Sequence, residues 1–139
     1  MTMIFLDANI FIRFLTKDDR KKAEDVRKLF ELIESGRIKA QTHIIVLAEI
    51  VWTLHSFFKV KKETIAEYIT LLFDLKNLAI NDEKIISRAI ETFKNRNIDF
   101  IDAFCASLAT EHQIKYICSY DRDFDKIKDI KRIEPRDLI

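Results

Sequence analysis

One glycine and one proline are very few for a chain of 139 residues. Gly36 and Pro135 leave no Gly/Pro-rich linker, no low-complexity tract and no visible repeat to divide the chain, so a single domain over residues 1–139 is expected. An excess of charge of one sign is missing too. The 24 Lys and Arg against 23 Asp and Glu leave a net +1, so no bulk field draws the protein to nucleic acid, and any such binding must come from local patches. The basic clusters "DRKKAED" and "KVKKE" read first as surface charge. There are only two cysteines, Cys105 and Cys118, both in apolar stretches; they read as free buried thiols in a reducing, cytoplasmic setting. The longest apolar run, Ile44 to Phe58, is 15 residues long and interrupted by Glu49 and His55, which is short for a membrane span. The N-terminus carries a strand pattern containing Asp7, unlike a signal peptide. His43, His55 and His112 show no metal-binding spacing, and no Ser-His-Asp arrangement or Gly-rich phosphate loop is visible.

What is present is a well-patterned chain, 48% hydrophobic and 34% charged, with enough apolar residues for a substantial core. "TMIFL" is a short run of β-formers ending at Asp7, and a helix is predicted after it. "KAEDVRKLFELIES" spaces Ala23, Val26, Leu29, Phe30 and Ile33 as a helix that stops at Gly36. "RIKAQ" reads as a weak second strand. The run Ile44–Phe58 is too long for a strand and reads as a largely buried helix. "ETIAEYITLLFDL" repeats Ile65, Ile69 and Leu72 on one face, "LAI" reads as a short strand, and "NDEKIISRAIETFKN" as a helix capped by Asn81 or Asp82. "DFIDAFCASLATEHQ" gives a helix, "IKYIC" a strand, "SYDRDF" a loop and "IKRIE" a last strand. Strands alternating with helices imply a helix-rich α/β fold whose parallel sheet is covered on both faces, with sites beyond the carboxyl ends of the strands.

Acidic residues stand where such sites form. Asp7 follows the first strand and Asp121 follows "IKYIC", so if those strands are neighbours the two carboxylates share a rim. Like charges at one rim are costly unless protonated or neutralised, and a divalent cation is the ordinary neutraliser. The alternative is that each is a turn former, with Asp7 at a helix N-cap. Glu49 sits in an apolar helix, where an unpaired buried charge costs several kcal/mol. With Thr42, Thr53 and Ser56 it forms a narrow polar line that faces either water or a cleft. In "DFIDAF", Asp99 fits an N-cap and Asp102 the third helical position; both stabilise a helix start, and Asp102 is also placed to point into a cleft. Asp123, two residues after Asp121, reads as a loop carboxylate outside the direct ligands. Oxygen-only donors favour Mg²⁺ or Mn²⁺ over structural zinc, and such ions serve phosphodiester or phosphoryl chemistry. Arg13 and Arg122 are candidate phosphate contacts, with solvated surface cations as the alternative.

The order of these residues resembles the PIN-domain family, in particular the VapC-like ribonuclease toxins of toxin–antitoxin pairs. The resemblance rests on "FLDANIFIRFL", "LAEIVWTL", "DFIDAFCASLA" and "ICSYDRDF", four motifs in order across nearly the whole chain. It implies a three-layer α/β/α sandwich with a central, mainly parallel sheet. It also implies an acidic metal site of Asp7, Glu49, Asp102 and Asp121, supported by Asn9 and Ser119, where the family commonly has threonine at the second position. An RNA substrate, dimerisation and inhibition by a small VapB-like antitoxin come from the resemblance alone.

Two other readings stay open on sequence. An Asp after the first strand also occurs in phosphatases and phosphotransferases that form an aspartyl-phosphate, although Asn9 stands where the haloacid-dehalogenase-like class usually has a second Asp. The other is a PIN-like RNA-processing or binding module without a toxin role.

Overall fold

The computed structural model describes residues 2–139. Its contacts sort into two compact units, one reaching to Glu83 and the other spanning Lys84–Ile139. The fold is helix-rich α/β, and every strand pair is parallel.

In the first unit, β1 (Thr2–Phe5), β2 (Ile38–Thr42) and β3 (Leu78–Ile80) form a sheet in that order. Ile4 faces Ala40 and Ala40 faces Leu78. The helices are α1 (Ala8–Thr16), α2 (Arg20–Glu34), α3 (Ile44–Trp52) and α4 (Lys62–Phe73). The Asp19 carboxylate caps α2 by accepting from the Lys22 amide at 3.0 Å. Gly36, with φ +83°, closes the other end: its amide donates to Ile33 and that of Arg37 to Leu32, the reciprocal pair of a Schellman stop. The Asn77 amide adds a third bond, donating to the Ile33 carbonyl at 3.0 Å. Buried Ala23, Val26, Phe30 and Ile33 follow the periodicity of the sequence, as do Ile65, Ile69 and Leu72 on α4. Phe30 packs on Phe11 and Phe14, with ring centroids 5.9 and 4.9 Å apart.

The run Ile44–Phe58 departs from the expected buried helix. It is α-helical to Trp52 and continues as a π-helical turn over Thr53–Phe57, where the Phe58 amide reaches back to the Thr53 carbonyl at 3.1 Å. Val46, Leu47, Ile50, Val51 and Leu54 are buried, but Ile45, Trp52 and Phe57 are 73%, 67% and 72% exposed. The run is apolar on both faces, and only one of them has a core to enter.

In the second unit, α5 (Glu83–Asn95, counted from Lys84) and α6 (Phe100–Glu111) accompany a two-stranded parallel sheet, β4 (Tyr116–Cys118) with β5 (Lys131–Ile133). Phe93 and Phe100 meet edge to face at 6.2 Å. A 3₁₀ turn over Arg122–Lys126 occupies the expected loop and buries Phe124 with Ala106 and Ile130. Both cysteines are free, as expected, but exposed rather than buried. In β4 the half-buried residue is Ile117, so the strand's alternation turns Cys118 outward. On α6, Cys105 lies off the buried line of Phe100, Ala103, Ala106 and Ser107.

With so little glycine, left-handed backbone falls to other residues: Lys17, Lys59, Asn77, Asp82 and Gln113 have φ between 55° and 65°. Each stands at the edge of a helix or strand. Among the described residues, no helix is long and apolar enough to cross a membrane.

Candidate functional site

The second unit gathers three carboxylates. One oxygen each from Asp102, Asp121 and Asp123 lie within 4.8 Å of one another, a spacing that suits a single cation. Asp102 is the third residue of α6, where the positive end of the helix dipole favours an acid. Asp121 follows β4 and caps the 3₁₀ turn, its Oδ1 accepting from the Asp123 amide at 2.9 Å. Asp123, which on sequence reads as a loop carboxylate outside the direct ligands, has its oxygen inside the trio.

Local bonds explain why this turn holds its shape. The Ser119 hydroxyl accepts from the Asp121 amide at 3.0 Å, which gives the serine a supporting role in the loop. The Arg132 side chain, only 12% exposed, donates to the Ser119 carbonyl at 2.9 Å and to Asp125 Oδ1 at 3.1 Å, and pairs with Glu134 at 3.5 Å. Lys126 Nζ donates both to Asp123 Oδ1 at 2.9 Å and to the Asn97 carbonyl at 2.7 Å, tying the turn to the segment before α6. Phe124, buried between two exposed or half-exposed acids, pins the same turn to α6 through Ala106. Sequence reasoning missed Lys126 and Arg132. The available signals were a lysine three residues after Asp123 and an arginine in the middle of the short last strand.

Electrostatics mark Asp102. Burial raises its pKa above the usual carboxylate range, followed by the charges of Asp121 and Asp99, a hydrogen bond with Asp121, and the charge of Asp123. Donors are all oxygen and the charges repel, a combination that fits a hard divalent cation. Asp99 occupies the N-cap of α6 with extended backbone, but its carboxylate makes no capping hydrogen bond. The expectation of a side-chain cap there is not met.

The remaining candidates belong to the first unit. Asp7 is exposed at the end of β1 and takes the N-cap position of α1, again without a side-chain cap bond. Its place is fixed by Leu6, whose amide donates to the Gln41 carbonyl at 2.9 Å and whose carbonyl accepts from the buried Thr42 hydroxyl at 3.0 Å. Thr42 therefore ends β2 inside the core and is not part of a polar line with Glu49, which is itself exposed. The cost of burying Glu49 does not arise. Glu49 instead borders an open groove of about 400 Å³ with Asn9, Arg13, Trp52 and Phe57. Arg13 is already paired with Asp18 at 2.8 Å, whereas Arg122 is exposed on the turn beside the carboxylate trio. β1 is hydrogen-bonded to β2, and β4 to β5.

Sequence comparison identifies the family. The family model for the PIN domain matches residues 4–130, and the chain belongs to the PIN-domain family. It is similar to a VapC ribonuclease from Aquifex aeolicus (strain VF5), 25% identical over 125 residues that cover 90% of this chain and 92% of the relative. Among solved structures it resembles VapC20 from Mycobacterium tuberculosis, described as a toxin that cleaves the sarcin–ricin loop, at 15% identity and a TM-score of 0.41, covering 95% of this chain and 99% of that one. It also resembles VapBC2 from Rickettsia felis bound to a fragment of promoter DNA, at 16% identity and a TM-score of 0.38, covering 96% and 98%. Family membership rests on the sequence match and not on these two structures.

Proposed function

We propose that this chain is a Mg²⁺- or Mn²⁺-dependent endoribonuclease acting as one nuclease domain, the toxin of a VapBC-type pair. The carrying observation is the trio Asp102, Asp121 and Asp123, where burial and then the neighbouring carboxylates raise the Asp102 pKa, a crowding that a cation relieves. The name of the Aquifex aeolicus relative supplies the substrate class. A bound divalent ion supplies charge neutralisation at a phosphate and a water acidic enough to attack at neutral pH. For their part, Asp102 and Asp121 offer carboxylate oxygens, Lys126 holds Asp123, and Ser119 fixes the loop through the Asp121 amide. Arg122 is exposed beside them and available to a phosphate. Asp7 and Glu49, which the motif resemblance includes in the metal site, are each required for cleavage in this reading, with Asn9 in support.

The test is cleavage of single-stranded or loop RNA with Mg²⁺ or Mn²⁺ and with EDTA. Activity is expected with either ion and abolished by EDTA and by Asp7→Asn, Glu49→Gln, Asp102→Asn or Asp121→Asn. Cleavage undiminished in EDTA, in a preparation free of contaminating nuclease, overturns it. The partner in this reading is a VapB-like antitoxin, and the chain works as a homodimer in the cytoplasm. An arginine of the antitoxin tail substitutes for the ion's charge at the acids. Mn²⁺ affinity should then vanish in the complex; an unchanged affinity places the antitoxin elsewhere.

A further inference from the structure

The groove beside Glu49 is built for something other than a cation. Its aromatic members come from the place where α3 gives way to the π-helical turn. Five residues along an α-helix carry a side chain about 140° round the axis, away from the first. A π turn has more residues per turn, so the same five steps come back towards the starting side. That brings Phe57 round to the side of Trp52. Both are largely exposed, and Phe57 is braced edge-on by Phe58, with ring centroids 4.9 Å apart at 77°. Asn9 and Arg13 also line the groove beside Glu49, the Arg13 guanidinium oriented by Asp18, whose other oxygen is held by the Thr16 hydroxyl. Flat apolar faces, an amide carrying both donors and an acceptor, and one fixed cation match the three parts of a nucleotide: base face, base edge and phosphate. The space of about 400 Å³ suits one such unit.

We propose that this groove is a subsite for one unpaired nucleotide, with the base stacked on Trp52 and Phe57, its edge read by Asn9 and its phosphate facing Arg13. The inference deepens the ribonuclease reading and rests on it for the choice of RNA. It requires substrates that are single-stranded at the position held here, because a paired base has no free face or edge to offer.

Trp52 is the only tryptophan in the chain, so its emission reports on the groove alone. The experiment titrates the full chain, in EDTA so that nothing is cut, with a short unstructured RNA and with the same sequence in a duplex. Anisotropy of an end label follows binding, and tryptophan emission follows stacking. Single strands are expected to bind and quench Trp52 and duplex not to quench it. Trp52→Leu and Phe57→Leu, both at exposed positions and checked for native circular dichroism, should weaken single-strand binding about tenfold, with Mn²⁺ affinity unchanged. Binding without any change in Trp52 emission overturns the subsite, as does equal quenching by duplex. A Trp52 signal that responds to protein concentration and not to RNA assigns the aromatic patch to a contact between copies and also overturns it. Because the titration contains no metal, its outcome is separate from whether the enzyme cleaves RNA.

Discussion

Asp102 faces two demands of opposite sign. Burial, and then its acidic neighbours, disfavour its ionised form, and a cation needs that form. With the folded pKa raised, the folded chain holds more protons than the unfolded one between the ordinary carboxylate value and the shifted one. Stability contributed by this group should therefore fall as pH rises through that window, while Mn²⁺ affinity should rise as the proton leaves. Asp102→Asn should remove both trends: unfolding without metal shows equal or higher stability, and Mn²⁺ titration shows no high-affinity binding. Asp99 behaves differently. Since its carboxylate makes no capping bond, Asp99→Ala should cost less than the usual ~0.5–2 kcal/mol of a lost cap, measured by denaturant unfolding of the metal-free protein. A cost at the upper end of that range would show that the cap bond does form in solution. The sequence made both aspartates visible as a helix start, because spacing and residue type are local. Whether Asp99 turns its oxygen onto an amide is a matter of rotamer, which spacing does not encode. Thr42 shows the same limit: a helical wheel put it in line with Glu49, whereas one residue of strand ending before α3 buried it on Leu6.

At the scale of elements, the turn after β4 is held from three directions, by Arg132, Lys126 and Phe124. Arg132→Lys keeps the charge but not the planar fork, so it should leave the Ser119 carbonyl or Asp125 unserved. The expected result is lower stability in unfolding and a several-fold drop in Mn²⁺ affinity, because the loop that carries Asp121 and Asp123 loosens. Retained Mn²⁺ affinity would show that the carboxylates keep their spacing without it. Most elements were legible: alternation and apolar spacing gave α2, α4, α5 and α6, and even the three-residue strands β3, β4 and β5 fell where short β-forming runs stood. The π turn was not legible. A run apolar on both sides carries no phase from which a change of helix type can be read.

For the whole molecule, near-neutrality has a measurable consequence. A chain with net +1 should bind single-stranded RNA through few phosphates, giving a log–log salt slope of about −1 to −2. A steep slope would mean that a local basic surface carries the binding. The family was legible from the order of four motifs along the chain, which sequence carries directly. Strand pairing as three and two was not, since register and neighbour choice depend on contacts far apart in sequence.

The scarcity of glycine leaves a mark on the joints of the molecule. Lys17, Lys59 and Gln113 sit in left-handed backbone, a conformation that costs a residue with a Cβ about 1–2 kcal/mol. Against this, a glycine-poor chain has fewer conformations to give up when it folds, by roughly 0.4–1 kcal/mol for each position so occupied. The two quantities nearly balance at every joint, so the chain tolerates local strain in return for a stiffer denatured state. Replacing Lys17, Lys59 or Gln113 by glycine should then change the unfolding free energy by no more than about 1 kcal/mol, in the stabilising direction. A protein of this composition can be made more pliant at its corners without being made weaker.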